Sequence, residues 1–395
     1  MSQPAGARLP LRSTVVFGLV VICAFGSWFY GFGVLLEPIR ADTGWSESLL
    51  SSAYGAGMFA VGIATVAAGR VIDTAGPRWV FAVCALGTLV GTALTVSASG
   101  PLLFAAAAAL TQCFVGTAGY YTVVHASIAR QVPQDRTRAI TVNTMWGAFA
   151  SPIFLPLLGV AAQWWGWRTA MVVSGVVVAM SFAAALAVVP PDDAAQRSQA
   201  GRLREALAIA LRARATRRLL YVGVCSGVAS SVLFLYQVPA MVSAGLGLGL
   251  ASSLAGLRGL FQLLGRLPLP WLIRRLGART VFMASLALVG LSSLLLLAAG
   301  NLVVAVIFAV LAGATVGAAS TLESIVSAEI VQVRLIGLFL GLYSMVWGIG
   351  SAIGPMVAGV VIEATGTRLP VFAGIAVIGV VGAALIPPTD EQVGT

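Results

Sequence analysis

MWGAFASP (145–152) returns 201 residues further on as VWGIGSAI (346–353). AGPR (75–78) and LGAR (276–279) keep that offset, while GWRTA (166–170) and GTRLP (366–370) are 200 apart. A glycine-rich chain produces single matches cheaply. An offset held to within one residue across three stretches instead points to duplication of one unit of about 200 residues. The chain of 395 residues holds two such copies, so its fold follows from the content of one copy.

Hydrophobic residues make up 59% of the chain and charged residues only 9%, against roughly 25% charged in soluble domains. Such a chain cannot cover a water-facing surface, and it reads as an integral membrane protein. Its formal net charge of +10 raises the thought of a nucleic-acid binder, which the placement of the charges argues against. All 23 basic residues are arginine. Without lysine there is no phosphate-binding GxxxxGK[ST] loop and no Schiff-base chemistry, so any uphill movement would draw on a gradient or on a partner protein. Cys23, Cys84, Cys113 and Cys225 lie in apolar runs without a CxxC pair and read as small buried hydrophobes. No nucleophile–base or metal-ligand cluster is evident; neither an enzyme nor a cofactor is expected.

A bilayer core of about 30 Å takes roughly 20 apolar residues per helix. Breaking the chain at charges, Gly/Pro clusters and polar loops gives twelve segments, six per copy. They lie near 14–37, 47–69, 79–98, 102–128, 139–162, 168–190, 218–240, 250–272, 279–298, 302–328, 335–362 and 368–387. The run from Thr14 follows Arg8 and Arg12, exceeds a signal-peptide core and shows no cleavage site, so it reads as the first span. The expected fold is an all-α membrane protein of twelve transmembrane helices in two pseudo-symmetric six-helix bundles. Residues 1–190 would form the first bundle, 191–217 a cytoplasmic basic linker and 218–395 the second bundle.

Arginine placement gives the orientation. With the N-terminus inside, eighteen arginines fall in inner loops and tails and three (Arg40, Arg168, Arg368) in outer loops. Both termini are therefore expected in the cytoplasm, with the protein in the inner (plasma) membrane. QWWGW (163–167) falls at an outer boundary and reads as an interfacial aromatic belt.

GRVIDTAGPRW (69–79) resembles the loop signature G-x-x-x-D-[RK]-x-G-[RK]-[RK] of the major facilitator superfamily. Gly69, Asp73, Gly76 and Arg78 match, while Thr74 and Pro77 depart from it. The resemblance covers nearly the whole chain and implies a secondary transporter with a gating role for those four residues. The second copy, PWLIRRLGAR (270–279), carries Arg274 where the acid should be, which implies an asymmetric inner gate. FYGFGVLLEPI (29–39), GWSESLLSSAYG (44–55) and the eighth span resemble the monocarboxylate-porter and oxalate-exchanger branch. Arg266 and Gln262 fall on that branch's arginine and on the polar position one turn earlier, with Pro270 replacing a glycine. Its proton-coupling lysine and aspartate are replaced here by Val34 and Gln262, so a facilitator or anion exchanger suits the residues at least as well as a proton symporter.

GLRGLFQLLGRL (256–267) poses the chemical question. A central membrane arginine costs about 2.5–3.5 kcal/mol even on a lenient scale, and this span holds two. On a continuous helix Arg258 and Arg266 would stand about 12 Å apart and about 80° around the axis, with Gln262 between them on one face. A guanidinium fits a carboxylate bidentately, so this face reads as an anion site. The competing reading is an intramembrane ion pair, for which Glu323, the only carboxylate well inside a span, is the natural partner.

Further candidates for the cavity are Tyr30, Tyr120, Tyr121, Asn143, Trp146, Tyr343 and Trp347. Tyr120 stands about 15 Å along the helix from Arg130, near mid-membrane. Glu323 and His125, the single histidine, are coupling candidates, each with a structural role as the alternative. GSAIGPMVAG (350–359) resembles an antiporter motif but sits in the eleventh span, where tight helix packing explains it.

The expected function is transport of small organic anions, such as lactate, pyruvate or an oxalate-like dicarboxylate, by alternating access. Its partners would be that anion, the bilayer, and protons or a counter-anion, but no nucleic acid, with the protein a monomer. The alternative is a proton-coupled multidrug or metabolite efflux transporter of the same fold.

Overall fold

The computed structural model describes residues 9–190, 213–331 and 336–388. Arg8, Arg334 and most of the 191–217 linker, which entered the orientation argument, lie outside the described residues. Helix α1 (Leu11–Ala24) continues through a π-helical stretch, Phe25–Tyr30, into α2 (Gly31–Thr43). Then come α3 (Glu47–Ala75), α4 (Pro77–Ser97), α5 (Pro101–Gly119), α6 (Thr122–Gln131), α7 (Arg136–Gly147) and α8 (Ala150–Val188). The second half comprises α9 (Arg214–Ser243), α10 (Leu248–Leu264), α11 (Leu269–Leu276), α12 (Ala278–Ser292), α13 (Leu302–Ile330), α14 (Ile336–Thr365) and α15 (Leu369–Leu385).

Among the described residues, nine helical stretches are long and apolar enough to cross a membrane, and ten if the bent pair α10–α11 is one span. Eleven of the twelve expected segments fall within this count, because one of the nine stretches holds two of them. One of the nine, Arg138–Val188, has 51 residues, about 77 Å of helix and too long for one crossing. It breaks at Gly166 (φ 79°, ψ 162°), between the fifth and sixth expected segments. α15, with 17 residues, falls just short of the length required.

The duplication is written into the backbone. Among the described residues, six glycines have positive φ: Gly44, Gly76 and Gly166 in the first half, Gly245, Gly277 and Gly366 in the second. They pair at the offsets seen in the sequence, 201, 201 and 200. Gly76 (φ 83°, ψ 164°) and Gly277 (φ 79°, ψ 147°) lie near a region that only glycine enters readily. Both start a helix directly after a turn. The prolines at or near the first position of α4, α5 and α15 suit helix starts, where a missing N–H costs nothing.

Five expected spans depart from a continuous α-helix: the fifth breaks at Ala148–Phe149 between α7 and α8, the ninth ends in a 3-10 stretch, Ser293–Ala298, and three others depart further. The eighth ends at Leu264 and restarts at Leu269, with a bend of 59°. Pro268 explains the place: four residues after Leu264, its ring clashes with that carbonyl and it has no N–H to give it. The Leu264 carbonyl instead accepts from the Leu267 amide (3.0 Å), and Leu263 from Arg266 (3.2 Å). The fourth span breaks at Tyr120–Tyr121, and the first carries the π-helical stretch.

The helices cluster into two compact units: residues 9–45 with 56–190, and residues 46–55 with 213–331 and 336–388. In the first, α4 packs on α5 and α8, and α8 on α1. In the second, α9 packs on α14, α10 on α13, and α12 on α13 and α15. Glycines set the closest approaches in the second unit. A Cβ on Gly313, Gly317 or Gly265 would collide with the Arg258 carbonyl, the Gln262 carbonyl or the Ala314 backbone. The helix carrying the arginines is thus pressed onto the helix carrying Glu323. Gly350 and Gly354 of α14 similarly meet α9 at Val224 and Val228, so part of the 350–359 stretch serves packing.

Candidate substrate site

Arg258 is fully buried in α10. Its Nη1 donates to Gln262 Oε1 at 3.2 Å, one turn on, and its guanidinium carbon lies 4.5 Å from the centroid of the Phe234 ring of α9. A desolvated cation over an aromatic face gains about 2 kcal/mol, which offsets part of the cost of burial.

Arg266 is placed differently from the sequence expectation. It sits at the bend between α10 and α11, not on a continuous helix, so the 12 Å and 80° relation to Arg258 does not carry through the break. Its Nη2 donates to Ser320 Oγ of α13 at 3.4 Å. Its Nε is buried and has no hydrogen-bond partner among the described residues, which leaves a donor available to an acceptor that enters from outside the fold.

Glu323 lies one turn beyond Ser320 on α13. Its Oε1 accepts from Ser226 Oγ of α9 at 2.6 Å, and the Tyr343 phenol of α14 is its other polar neighbour. The carboxylate therefore takes its hydrogen bond from a hydroxyl and not from either arginine. The Tyr343 ring is buried against Gly223, and the Trp347 backbone carbonyl lies against Gly227.

In the first unit the candidates form an aromatic cluster. The Thr122 amide donates to the Tyr120 carbonyl at 3.0 Å across Tyr121, a three-residue turn with Tyr121 at φ 71°, ψ −44°. Tyr121 is the one non-glycine with positive φ among the described residues. Such turns are rare and strained, and a strained backbone persists only where its surroundings hold it. Here Phe25 stacks on Tyr120 (4.7 Å) and lies 4.9 Å from Tyr121, and His125 stacks on Tyr121 (4.9 Å). Tyr30 meets Phe29 edge-on. Asn143 is 2% exposed with its amide beside His125, and the Trp146 ring covers Gly18 of α1. Asn143 thus lies in the interior of this unit, and Trp146 is half-buried against α1.

Within the loop signature, Gly76 needs its glycine for positive φ, whereas Gly69 is helical with open space where a Cβ would go. Asp73 meets Arg130 at the end of α6 (3.9 Å), and Arg78 is exposed. Trp164 and Trp165 are exposed, as a membrane-interface belt requires, but Trp167 is buried and donates to Asp42 Oδ2 at 3.0 Å. Sequence reasoning missed Ser226, Ser320 and Phe234, because single hydroxyls and rings inside apolar spans carry no pattern of their own.

A profile of the major facilitator superfamily matches residues 16–257 and 230–394. The chain belongs to that superfamily. It is a multi-span membrane protein of a family of transporters, not of enzymes. The fold is similar to crystal structures of the nucleoside transporter NupG. One, of a single-residue variant, has a TM-score of 0.80 at 16% identity, covering 96% of this chain and 99% of that one. Another reaches 0.79 at 17% identity, with 96% and 98% covered. A curated MFS-type efflux pump of Mycolicibacterium smegmatis is 31% identical over 172 residues. That match spans 42% of this chain and 40% of the efflux pump.

Proposed function

We propose that this protein is a secondary transporter of small organic anions, monocarboxylates first among them, working by alternating access. The observation that carries the reading is Arg266: a cation within an apolar span, at a proline-made bend, tied to Ser320 and left with a buried, unused Nε donor. A carboxylate would complete that donor set. Arg258 and Gln262 would extend the site along α10. Tyr343 and Trp347 of the second unit, and Tyr30, Tyr120, Tyr121, Asn143 and Trp146 of the first, are the remaining proposed substrate-binding residues. Glu323 is the proposed coupling carboxyl, with His125 as the second titratable candidate. Gly69, Asp73, Gly76 and Arg78 are proposed to gate the inner side, with both termini in the cytoplasm and the boundary between bundles in the 191–217 linker.

The test is uptake of labelled lactate, pyruvate, acetate and oxalate into proteoliposomes, with and without a pH gradient, by the native chain and by Arg266→Gln. The expected outcome is uptake lost in the variant at unchanged folded yield. Uptake at the native rate by Arg266→Gln would remove the arginine site. A second reading is favoured by the partial match to an efflux pump: export of lipophilic compounds, with Glu323 coupling to protons and the arginines structural. Failure of every anion to enter, together with raised drug sensitivity on deletion, would select it.

A further inference from the structure

The bend before α11 turns it 59° out of line with α10, and the two sides of α11 differ. At 100° per residue, Trp271, Arg274 and Arg275 fall within about 100° of arc, and Leu269 lies roughly opposite its middle. Leu269 is buried, whereas Trp271, Arg274 and Arg275 are exposed. Leu264 and Leu267, which lead into the bend, are exposed too. The Arg275 guanidinium carbon lies 4.9 Å from the centroid of the Trp271 ring. That contact uses a face of the cation and leaves its N–H edge open. Leucine, tryptophan and arginine in this order mark a membrane boundary, with the ring at headgroup level and the cations on the water side.

In the first half the repeat positions of Trp271, Arg274 and Arg275 hold Arg70, Asp73 and Thr74. There α3 runs unbroken to Ala75, and Asp73 meets Arg130 at 3.9 Å. The second half lost both members of that pair. Arg274 replaces the acid, and Val331 stands at the repeat position of Arg130. Among the described residues neither Arg274 nor Arg275 enters an ion pair. One acid, Glu329, lines a cleft with Ile273, Gly277 and Arg279. Ile273 stands about 100° around α11 from Arg274 and about 160° from Arg275, so that cleft lies on another side of the helix.

We propose that the elbow between α10 and α11 binds an anionic phospholipid, its phosphate held by Arg274 and Arg275, its glycerol beside Trp271 and an acyl chain along Leu267 and Leu264. Guanidinium N–H groups pair with phosphate oxygens two at a time. A lipid suits this surface better than free phosphate, because the exposed leucines continue the site away from the charges. Basic pockets beside membrane helices hold anionic headgroups by the same chemistry. In the proposed orientation the leaflet is the cytoplasmic one. Every residue of the site belongs to the second unit, and the site requires no particular transported substrate.

The test is photolabelling of the full-length protein in phosphatidylcholine vesicles that contain a minor share of phosphatidylglycerol carrying a photoreactive group in its acyl chain. The native chain should be labelled at 264–267. Arg274→Gln/Arg275→Gln should lower that labelling about 25-fold, near fivefold for each charge removed. Arg274→Lys/Arg275→Lys should keep most of it, since lysine also binds phosphate. Arg70→Gln, in the first half, should leave it unchanged. Both arginines are exposed, so these variants should fold as the native chain does. Equal labelling of 264–267 by a phosphatidylcholine probe would overturn the site. So would a loss in the glutamine variant that is just as large at other labelled segments, or displacement of the probe by millimolar inorganic phosphate.

Discussion

The two halves of this chain share a backbone and differ in chemistry. Both carry positive-φ glycines at matched positions, a proline at a matched place inside their first long helix (Pro38 and Pro239), and an arginine that anchors the end of that helix. Yet in the first unit the fourth-span break is walled by Phe25, Tyr120, Tyr121 and His125. In the second, the eighth-span break carries Arg266, and Arg258 and Glu323 lie on α10 and α13 nearby. Duplication preserved what only one residue type can do for the backbone. It left free the side chains at the two breaks, where any residue tolerated by the fold can be tried. The halves therefore teach which features are architecture and which are free to vary.

The comparison breaks most visibly if the charged residues of the second unit prove no more important than the aromatics of the first. Arg266→Gln removes a charge-assisted donor, an interaction of about 1.5–3 kcal/mol, and should lower anion transport about 10- to 150-fold. Arg258→Met should do likewise while leaving the melting temperature level or higher, since apolar replacement of buried charge is often neutral or stabilising. Tyr120→Phe in the first unit should lose less than about tenfold in the same uptake assay, a single neutral hydrogen bond being about 1 kcal/mol. Equal losses in both units would erase the division of roles.

Architecture, by contrast, should be symmetric. Gly76→Ala and Gly277→Ala should each cost about 1–3 kcal/mol, seen as parallel drops in folded yield and melting temperature in detergent. Gly69→Ala, helical and with open space, should be neutral or slightly stabilising. A marked difference between Gly76→Ala and Gly277→Ala would show that the two turns do not carry equal strain.

Smaller effects sharpen the picture. Tyr121→Phe keeps the rings that brace the strained turn and removes a 3.4 Å contact with the Thr144 carbonyl, so thermal stability should fall by about 1 kcal/mol. Asp73→Asn breaks a 3.9 Å pair with Arg130 that water reaches. Exposed pairs contribute about 0–1 kcal/mol, so unfolding should hardly move, and a fall in transport rate alone would point to gating.

Much of the fold was legible in the sequence because it rests on composition and period. Low charge and long apolar runs require helices in lipid, since the backbone can satisfy its own hydrogen bonds there in few other ways. The offset between MWGAFASP and VWGIGSAI carried the duplication, and the loop signature carried the superfamily. Local features that depend on one residue's chemistry, such as Gly76 at its turn, were legible too.

What only the tertiary structure decided is how side chains distant in sequence meet. Pro268 lies within sight of Arg266 in the sequence, but the bend it makes, and the Ser320 hydroxyl brought to Arg266 across it, depend on α13 packing through Gly313 and Gly317. Glu323 could have joined an arginine or a hydroxyl, and the approach of α9 to α13 gave it Ser226. Glu47 reads as an ordinary helix-start acid until α3 is seen to begin against Arg368, 321 residues away. Periodicity records which face a residue occupies along one helix. The partner on the next helix is set by glycines and crossing geometry, which no single stretch of sequence contains.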